Sequence, residues 1–444
     1  MKRFNHLLQK RYCFYLLIFL FTFLARLVYG LCSPFWGTDE KQIYLLGLKY
    51  YATGNFPYYG PDVVYTQTQI PGALQGIVVG LPFFILPIPE APFLLLNLLS
   101  TGTLILFAYY LHKRIPTLSG WLIYGWLLTA PWTLNYSTHI VNPSYVLPAA
   151  ILFFIGTFEL LLFNNRPILR PHHAFAMMGF SICWVMQIHL SFVLLIPFTA
   201  ICFLLNIRKK SFSTISRNLL FFTLGAAISG SLLLPTYCKY GIEGAGRIEA
   251  NIVLHLEHLT QLPTIITRFL SFSSYETSVF LGYNLQSRLQ FLQQYPWFSP
   301  FTVLLTLIGF LQVAYLFVSF FCNSVFHSKE GKRLKWLVAA TIVMLYLSFI
   351  FSIKGPSPHT FYVLLPVSML YAFYCYQPLL SKPIWKKMAA LMLILGLFFH
   401  LHLAHNNFKH HSLYKNRTIP EKAIDQKNNK ILGDRRAEDW GCCY

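Results

Sequence analysis

Two adjacent carboxylates, Asp39 and Glu40, have the residue types and the position for acid–base chemistry at a membrane surface. They end the sequence WGTDE, just beyond an apolar run that begins near Cys13. A carboxylate beside a bound acceptor can take a proton from the acceptor's hydroxyl or amine as that group attacks. A plainer interpretation is a solvated loop acid that helps to keep this loop outside. The pair is therefore a candidate catalytic site.

His189 is a second candidate, because it lies between two apolar runs. A polar side chain at membrane depth is a functional candidate by default. A lone histidine can equally be a satisfied contact between helices.

The composition indicates which solvent surrounds these residues. Hydrophobic residues make up 55% of the 444 residues and charged residues only 11%. The mean hydropathy is +0.51, whereas a soluble domain is usually about one-quarter charged. The net charge of +20 does not indicate nucleic acid, because the basic residues lie between apolar runs and not on one arm. No cluster of carboxylates, histidines or cysteines has metal-ligand spacing, so no metal or other cofactor is predicted.

The apolar runs are long enough to cross a bilayer. A span needs about twenty apolar residues. Such runs start near Cys13, Ala91, Thr117, Val146, Ala174, Ser191, Asn218, Pro300, Trp336, Phe361 and Met388. The sequence therefore predicts an all-α polytopic membrane protein of about eleven transmembrane helices.

Charge sets the predicted orientation. Basic residues concentrate in segments that link alternate runs, near Lys10, Lys113, Arg166, Lys209, Lys332 and Lys386. Basic loops stay in the cytoplasm, so we predict a cytoplasmic amino terminus. The membrane domain then covers residues 1–404, with outer loops at about 32–90 and 236–299. Residues 405–444 form a polar tail, predicted to be outside and poorly ordered.

The first outer loop is predicted to hold two membrane-associated segments. An amphipathic helix is expected near Gln42 to Thr53. The run from Ile70 to Pro89 is apolar, but its four prolines and three glycines disfavour a span. If it crossed the membrane, every later basic loop would face outward. We therefore predict an interfacial or re-entrant segment there.

Several motifs in this order resemble a known family. The chain has a basic end, a helix carrying Arg26, and then WGTDEKQIYLLGLKYYATGNFP. Later come HIVNPSYVLP with Asn142, QIHLSFVLLIP with His189, and KGPSPHTFYVLLPV from Lys354 onward. This order is similar to that of GT-C superfamily glycosyltransferases. Within them it resembles the family 39-like branch of protein O-mannosyltransferases and lipid A aminoarabinose transferases (ArnT-like).

The resemblance implies a GT-C-like bundle and an inverting hexosyl or pentosyl transferase. Its donor would be a polyprenyl-phosphate sugar, and its acceptor a lipid or glycan on the non-cytoplasmic face of a bacterial inner membrane. Asp39 would be the base, and Glu40 would orient it or bind the acceptor. The donor phosphate would meet Lys239, Arg247, Lys354, His359 and Tyr362, while Asn142 and His189 would contact the acceptor or support the site.

The sequence departs from the family pattern in two places. The basic residue that the family has before its Pro-rich segment is missing, since the residues before Pro71 are Gln67 to Ile70. The acidic residue of the second outer loop is Asn142. One rival function is a transporter or flippase, which needs polar residues at the middle of several spans. Another is a polysaccharide polymerase or ligase, which would not require Asp39.

Overall fold

The structure, a computed structural model, is built almost entirely from helices. It describes residues 2–32, 38–63, 68–209, 211–241, 254–282, 284–322, 326–352, 355–411 and 417–432. The helices are α1 (Lys2–Cys32), α2 (Thr38–Thr53), α3 (Leu74–Ile85), α4 (Ala91–Arg114), α5 (Gly120–Thr129), α6 (Pro131–Thr138), α7 (Asn142–Leu161), α8 (Pro171–Met186), α9 (Ile196–Lys209), α10 (Phe212–Gly230), α11 (Leu234–Tyr240), α12 (Leu262–Ser271), α13 (Ser278–Leu281), α14 (Leu285–Gln294), α15 (Ser299–Phe321), α16 (Lys329–Ile350), α17 (Leu365–Leu380), α18 (Pro383–His411) and α19 (Thr418–Asp425). Short 3-10 helices include Leu190–Leu195, Leu256–Gln261, Pro358–Leu364 and Asn429–Ile431.

The predicted polytopic membrane protein is confirmed. Within the described ranges, eight helical stretches are long and apolar enough to cross a membrane. They are Ala91–Arg114, Asn142–Leu161, Leu190–Arg208, Phe212–Tyr240, Ser299–Phe321, Lys329–Ile350, Pro358–Leu380 and Pro383–Phe408.

The three other predicted spans are helical as well. Helix α1 has 31 residues, Lys2–Cys32, and α8 has 16 residues. The run near Thr117 divides into α5 and α6 at Ala130, whose φ of −59° and ψ of 139° are not helical. Pro131 disfavours the helical conformation of the residue before it, which explains the break. The eleven predicted runs thus correspond to eleven helical regions.

The ends of these helices gather on two opposite sides. Tyr29 near the end of α1 contacts His400 in the second half of α18, with ring centroids 5.5 Å apart. At the other ends of α4 and α7, Arg114 pairs with Glu159. Helix α4 has 24 residues and is therefore about 36 Å long. Its two ends lie on opposite sides of the helical bundle, and the two contacts mark these two sides. We call them the α2 side and the Arg114 side.

The α2 side holds a small hairpin that the sequence did not predict. Strands β1 (Tyr59–Val63) and β2 (Thr68–Pro71) pair antiparallel, with Tyr59 opposite Pro71 and Val63 opposite Thr68. The turn after β2 contains Gly72 at φ +116°, where a side chain would be strained. A Cβ there would also lie 2.5 Å from Cγ of Gln187. The hairpin can therefore approach the end of α8 only because residue 72 is glycine.

The amphipathic helix and the re-entrant segment predicted in this loop correspond to α2 and α3. They cross closely, since a Cβ at Gly80 would lie 2.5 Å from the carbonyl oxygen of Gly47. Helix α3 has 12 residues with Pro82 inside it, too few to cross a bilayer. The prolines that argued against a span in the sequence thus accompany a short helix in the structure.

A buried arginine stabilises the break between α5 and α6. The guanidinium of Arg26 donates to the carbonyl oxygen of Leu128 at 2.5 Å and to Oγ1 of Thr101 at 3.3 Å. It also donates to Oγ of Ser137. The end of α5 has carbonyls without helical partners and carries partial negative charge. Arg26 therefore caps the broken helix.

Part of the second outer loop returns into the bundle. The indole of Trp126 donates to the carbonyl oxygen of Ser273 at 3.0 Å. A Cβ at Gly309 would clash with the backbone nitrogen of Glu276, and one at Gly396 would clash with the ring of Tyr275. The glycines of α15 and α18 thus leave room for this turn, which the sequence had placed in a simple outer loop.

The prediction of a poorly ordered tail is wrong for the part that the structure describes. Helix α18 continues to His411, and α19 and the 3-10 helix Asn429–Ile431 follow. Ala423 and Ile424 have 0% and 1% of their surface exposed. The tail is mostly polar, so its few apolar residues gave no clear sequence signal. In the structure they pack on the α2 side.

Candidate functional site

Asp39 lies in the first turn of α2, together with Glu40. Its side chain is exposed, and among the described residues its carboxylate makes no hydrogen bond or ion pair. Farther along α2, the side chains of Ile43, Tyr44 and Leu48 are buried. Carboxylates are favoured at a helix amino end by the free N–H groups and the helix dipole. The fold therefore presents Asp39 to a reactant without covering it.

His189 and His359 come together from distant parts of the sequence. His189 precedes the 3-10 helix Leu190–Leu195, and its Nδ1 accepts a hydrogen bond from the backbone N–H of Ser191 at 3.1 Å. The neutral ring therefore carries its proton on Nε2. Burial, and to a lesser extent the nearby charge of His359, lowers the pKa of His189 to about 4. His189 is thus a neutral hydrogen-bond donor near pH 7.

His359 is the more accessible of the two histidines. It is exposed in the 3-10 helix Pro358–Leu364, and its Nδ1 lies 2.9 Å from Oγ of Ser357. This 3-10 helix packs against that of His189 and against α7. A protonated or neutral imidazole at this edge can donate to an anionic oxygen.

Asn142 begins α7, beside the segment that carries His359. Its Oδ1 is buried and has no hydrogen-bond partner among the described residues. A buried amide oxygen without a partner costs free energy, so a bound hydroxyl or a water would satisfy it. This arrangement fits the contact with acceptor or site that the sequence predicted.

Lys239 lies on the same side, at the hairpin. Its ammonium is 4.2 Å from the ring centroid of Tyr58 and 5.3 Å from that of Tyr240. The hydroxyl of Thr236 donates to the carbonyl oxygen of Tyr58 at 2.6 Å, which ties α11 to the start of the hairpin. The cation is therefore held at the surface of an aromatic pair.

One predicted phosphate contact is not supported by the structure. Tyr362 has no exposed surface, and its hydroxyl donates to the carbonyl oxygen of Trp132 at 3.0 Å. Its ring packs against Tyr136 and Phe272. The only proton of the hydroxyl is already used, so Tyr362 braces the segment that carries His359 and does not bind phosphate. Arg247 and Lys354 lie outside the described residues.

Sequence reasoning missed two further polar groups on this side. Gln187 donates from Nε2 to the carbonyl oxygens of Ser229 at 2.8 Å and Cys183 at 2.9 Å, and so joins α8 and α10 beneath the hairpin. Its position two residues before His189 in an apolar run was an available signal.

The second missed group surrounds the end of α1. Tyr29 donates to Oδ1 of Asn135 at 2.7 Å, and its ring stacks on His139 at 5.7 Å. Burial lowers the pKa of His139 to about 4. His400 completes the cluster. Helices α1, α6 and α18 and the turn after α6 supply these residues, and no local sequence pattern joins them.

Comparisons with known proteins concern the fold. No family model matches the chain, and no curated protein sequence does. The crystal structure of ArnT from Cupriavidus metallidurans in the apo state matches with a TM-score of 0.50 and 11% identity, over 95% of this chain and 77% of that one. The structure of the same protein bound to undecaprenyl phosphate matches with a TM-score of 0.47 and 13% identity, over 94% of this chain and 77% of that one. The chain therefore has an ArnT-like membrane fold, in agreement with the resemblance seen in its sequence.

Proposed function

We propose that the protein is an inverting membrane glycosyltransferase that uses a polyprenyl-phosphate sugar as donor. The observation that carries the proposal is the exposed carboxylate of Asp39 in the first turn of α2. His189, His359, Asn142 and Lys239 belong to the same side of an ArnT-like fold. The motif order in the sequence supports the same reaction class.

The proposed reaction is a single displacement. Asp39 takes the proton of the acceptor hydroxyl or amine while that oxygen or nitrogen forms a bond to the anomeric carbon. The bond from the anomeric carbon to the phosphate oxygen breaks, and its electron pair leaves with the lipid phosphate. Attack opposite the leaving group inverts the anomeric configuration. The proton then passes from Asp39 to solvent.

Cations and neutral donors would stabilise the departing phosphate. His359 and Lys239 are the described candidates, and Arg247 and Lys354 are proposed from the sequence. Charge-assisted hydrogen bonds to phosphate are stronger than neutral ones. His189, which stays neutral near pH 7, would donate from Nε2 to the sugar, the acceptor or the phosphate.

We further propose that the α2 side is the non-cytoplasmic side of a bacterial inner membrane. The basic linking segments, near Lys113, Arg166 and Lys332, lie toward the Arg114 side. This is the distribution that the positive-inside rule assigns to the cytoplasm. The acceptor would then be an exported lipid or glycan.

The decisive experiment is Asp39→Asn in the purified full chain, reconstituted in lipid and supplied with several polyprenyl-phosphate sugars. A general base contributes about 10² to 10⁴ in rate. The variant should bind donor normally, yet release lipid phosphate slower by about that factor. Glu40→Gln should lose less, because Glu40 only orients the base or binds the acceptor. Near wild-type turnover of folded Asp39→Asn would reject the proposed base and favour a polymerase, ligase or transporter.

A further inference from the structure

The chain after the last span folds back over the α2 side. We call residues 417–432 the strap. It contains α19 and the 3-10 helix Asn429–Ile431, and that 3-10 helix contacts α2. Ala423 and Ile424 are buried and belong to the main apolar core. The strap is therefore part of the fold on the side that carries Asp39.

An ion pair fastens the strap to the amino end of α4. Arg417 pairs with Glu90, and its Nε also lies 2.6 Å from Oε1 of Glu421. The Glu90 side chain is 9% exposed and that of Arg417 is 33% exposed. Among the described residues, Arg417 is the one partner of the Glu90 carboxylate. Breaking a buried pair by removing one partner leaves an uncompensated charge.

The same contact reaches α2 through the residue before Glu90. The hydroxyl of Tyr44 donates to the carbonyl oxygen of Pro89 at 3.1 Å. Burial raises the pKa of Tyr44, and the nearby guanidinium of Arg417 opposes that rise. Tyr44, Pro89, Glu90 and Arg417 thus form one contiguous group.

A second contact fastens the strap farther along α2. The ammonium of Lys427 lies 5.5 Å from the ring centroid of Tyr51. Lys427 adopts the left-handed conformation, with φ of +45°. Tyr44 and Tyr51 are i and i+7 on α2, so they share one face about two turns apart. Two contacts on that face restrict both the tilt and the rotation of the helix that carries Asp39.

We propose that the strap positions the general base, with Arg417 and Glu90 as positioning residues. The inference rests on the proposed function, since it assigns the strap a role in the transfer step. Helix α2 is not continuous with any span, so its orientation depends on packing. A misplacement of about 1 Å in a catalytic group can slow a reaction about 10²-fold. Without the Arg417–Glu90 pair, α2 loses part of the support that the strap gives to this face, and Asp39 moves relative to the acceptor.

The test compares Arg417→Gln with Lys422→Gln, which removes an exposed charge from the same strap. Both are made in the full chain and assayed for lipid phosphate release from a polyprenyl-phosphate sugar. Arg417→Gln should lower kcat about 10- to 100-fold and change the donor KM less than about twofold. Lys422→Gln should match the wild type. An unchanged kcat in Arg417→Gln overturns the proposal.

Glu90→Gln is a second variant that tests the same contact if Arg417→Gln does not fold. It leaves a neutral side chain in the buried position, and Arg417 is exposed enough to be hydrated. Its kcat should fall in the same direction, by at least about fivefold, with donor KM unchanged. A wild-type kcat in Glu90→Gln contradicts the positioning role.

A double variant separates positioning from general destabilisation. If Arg417 acts through Asp39, then Asp39→Asn with Arg417→Gln should be no slower than Asp39→Asn alone. If the fold-losses in kcat of the two single variants multiply in the double variant, the proposal is overturned. Failure of the proposed function looks different. In that case Asp39→Asn keeps its turnover, whereas a failure of the strap alone leaves Asp39→Asn slow and both Arg417→Gln and Glu90→Gln fast.

Discussion

Two acids on opposite sides of the membrane bundle, Glu159 and Asp39, are placed in opposite ways. On the Arg114 side, Glu159 is 2% exposed and every part of its carboxylate is used. Oε1 accepts from Tyr110 at 2.8 Å and from Nε of Arg114 at 3.0 Å, and Oε2 accepts from the backbone N–H groups of Ile168 at 2.7 Å and Leu169 at 3.3 Å. On the α2 side, Asp39 is exposed and has no described partner.

This difference distinguishes a charged side chain with a structural role from one that is available to react. A fully satisfied buried acid holds elements together, and here it fixes the segment after α7 to the end of α4. An acid that the fold presents without a partner contributes little to stability and is free to react. Asn142 is a further polar residue on the α2 side, and its buried Oδ1 has no described partner.

The largest expected effect tests whether these two sides face different compartments. A reporter active only outside the cytoplasm should be active when fused after Tyr59 or Glu257, and silent after Lys210 or Lys332. Basic segments are retained in the cytoplasm, so the response should be all or none. The reverse pattern would exchange the compartments of the two sides and remove the proposed outward active site.

The next effect should be structural and confined to the Arg114 side. Arg114→Gln leaves Glu159 buried without its cation, which should lower the free energy of unfolding by about 3 to 5 kcal/mol. Turnover per folded molecule should not change, because this pair lies away from the α2 side.

Lys113→Gln is the matched control, since Lys113 is exposed and adjacent in sequence. Thermal unfolding in detergent, with a transferase assay on the folded fraction, measures both quantities. A loss of turnover without a loss of stability in Arg114→Gln would abolish the contrast between the two sides.

A smaller effect is expected from Arg247, which a glycine-rich stretch of the sequence carries. Loss of a charge-assisted bond to a buried phosphate costs about 1.5 to 3 kcal/mol. Arg247→Ala should therefore raise the donor concentration for half-maximal rate at least about tenfold, with the rate at saturation retained. Arg247→Lys should fall between the two. An unchanged donor dependence would make Arg247 an exposed loop residue.

The smallest effect concerns pH. The pKa of His189 is lowered to about 4 from 6.5, so the unfolded chain binds a proton at a higher pH than the folded one. The folded state should therefore lose stability as the pH falls from about 6.5 to about 4, and no further below that. His189→Gln keeps a donor and removes the titration. Its melting temperature should fall less than that of the wild type between pH 7 and pH 4, and equal slopes would contradict the buried neutral histidine.

The membrane character of the chain and the order of its elements could be predicted from the amino-acid sequence. Long apolar runs require helices in lipid, where every backbone polar group must be satisfied internally. The alternation of basic segments predicted which ends share a side, and contacts such as Tyr29 with His400 agree with it. The proline-rich run before Glu90 was correctly excluded as a span. The helix expected near Gln42 is α2. These inferences succeed because composition and hydrophobic periodicity are properties of many consecutive residues. They do not depend on which distant residue each side chain contacts.

The contacts between individual side chains, in contrast, could be seen only once the helices were packed. His189 and His359 are adjacent through packing of two 3-10 helices. Tyr362, a predicted phosphate contact, instead donates to the carbonyl oxygen of Trp132. The strap was predicted to be poorly ordered, yet Arg417 pairs with Glu90, which is far from it in the sequence. A single ion pair or hydrogen bond between distant residues produces no periodic pattern in the sequence. Which two residues pair depends on how the helices pack.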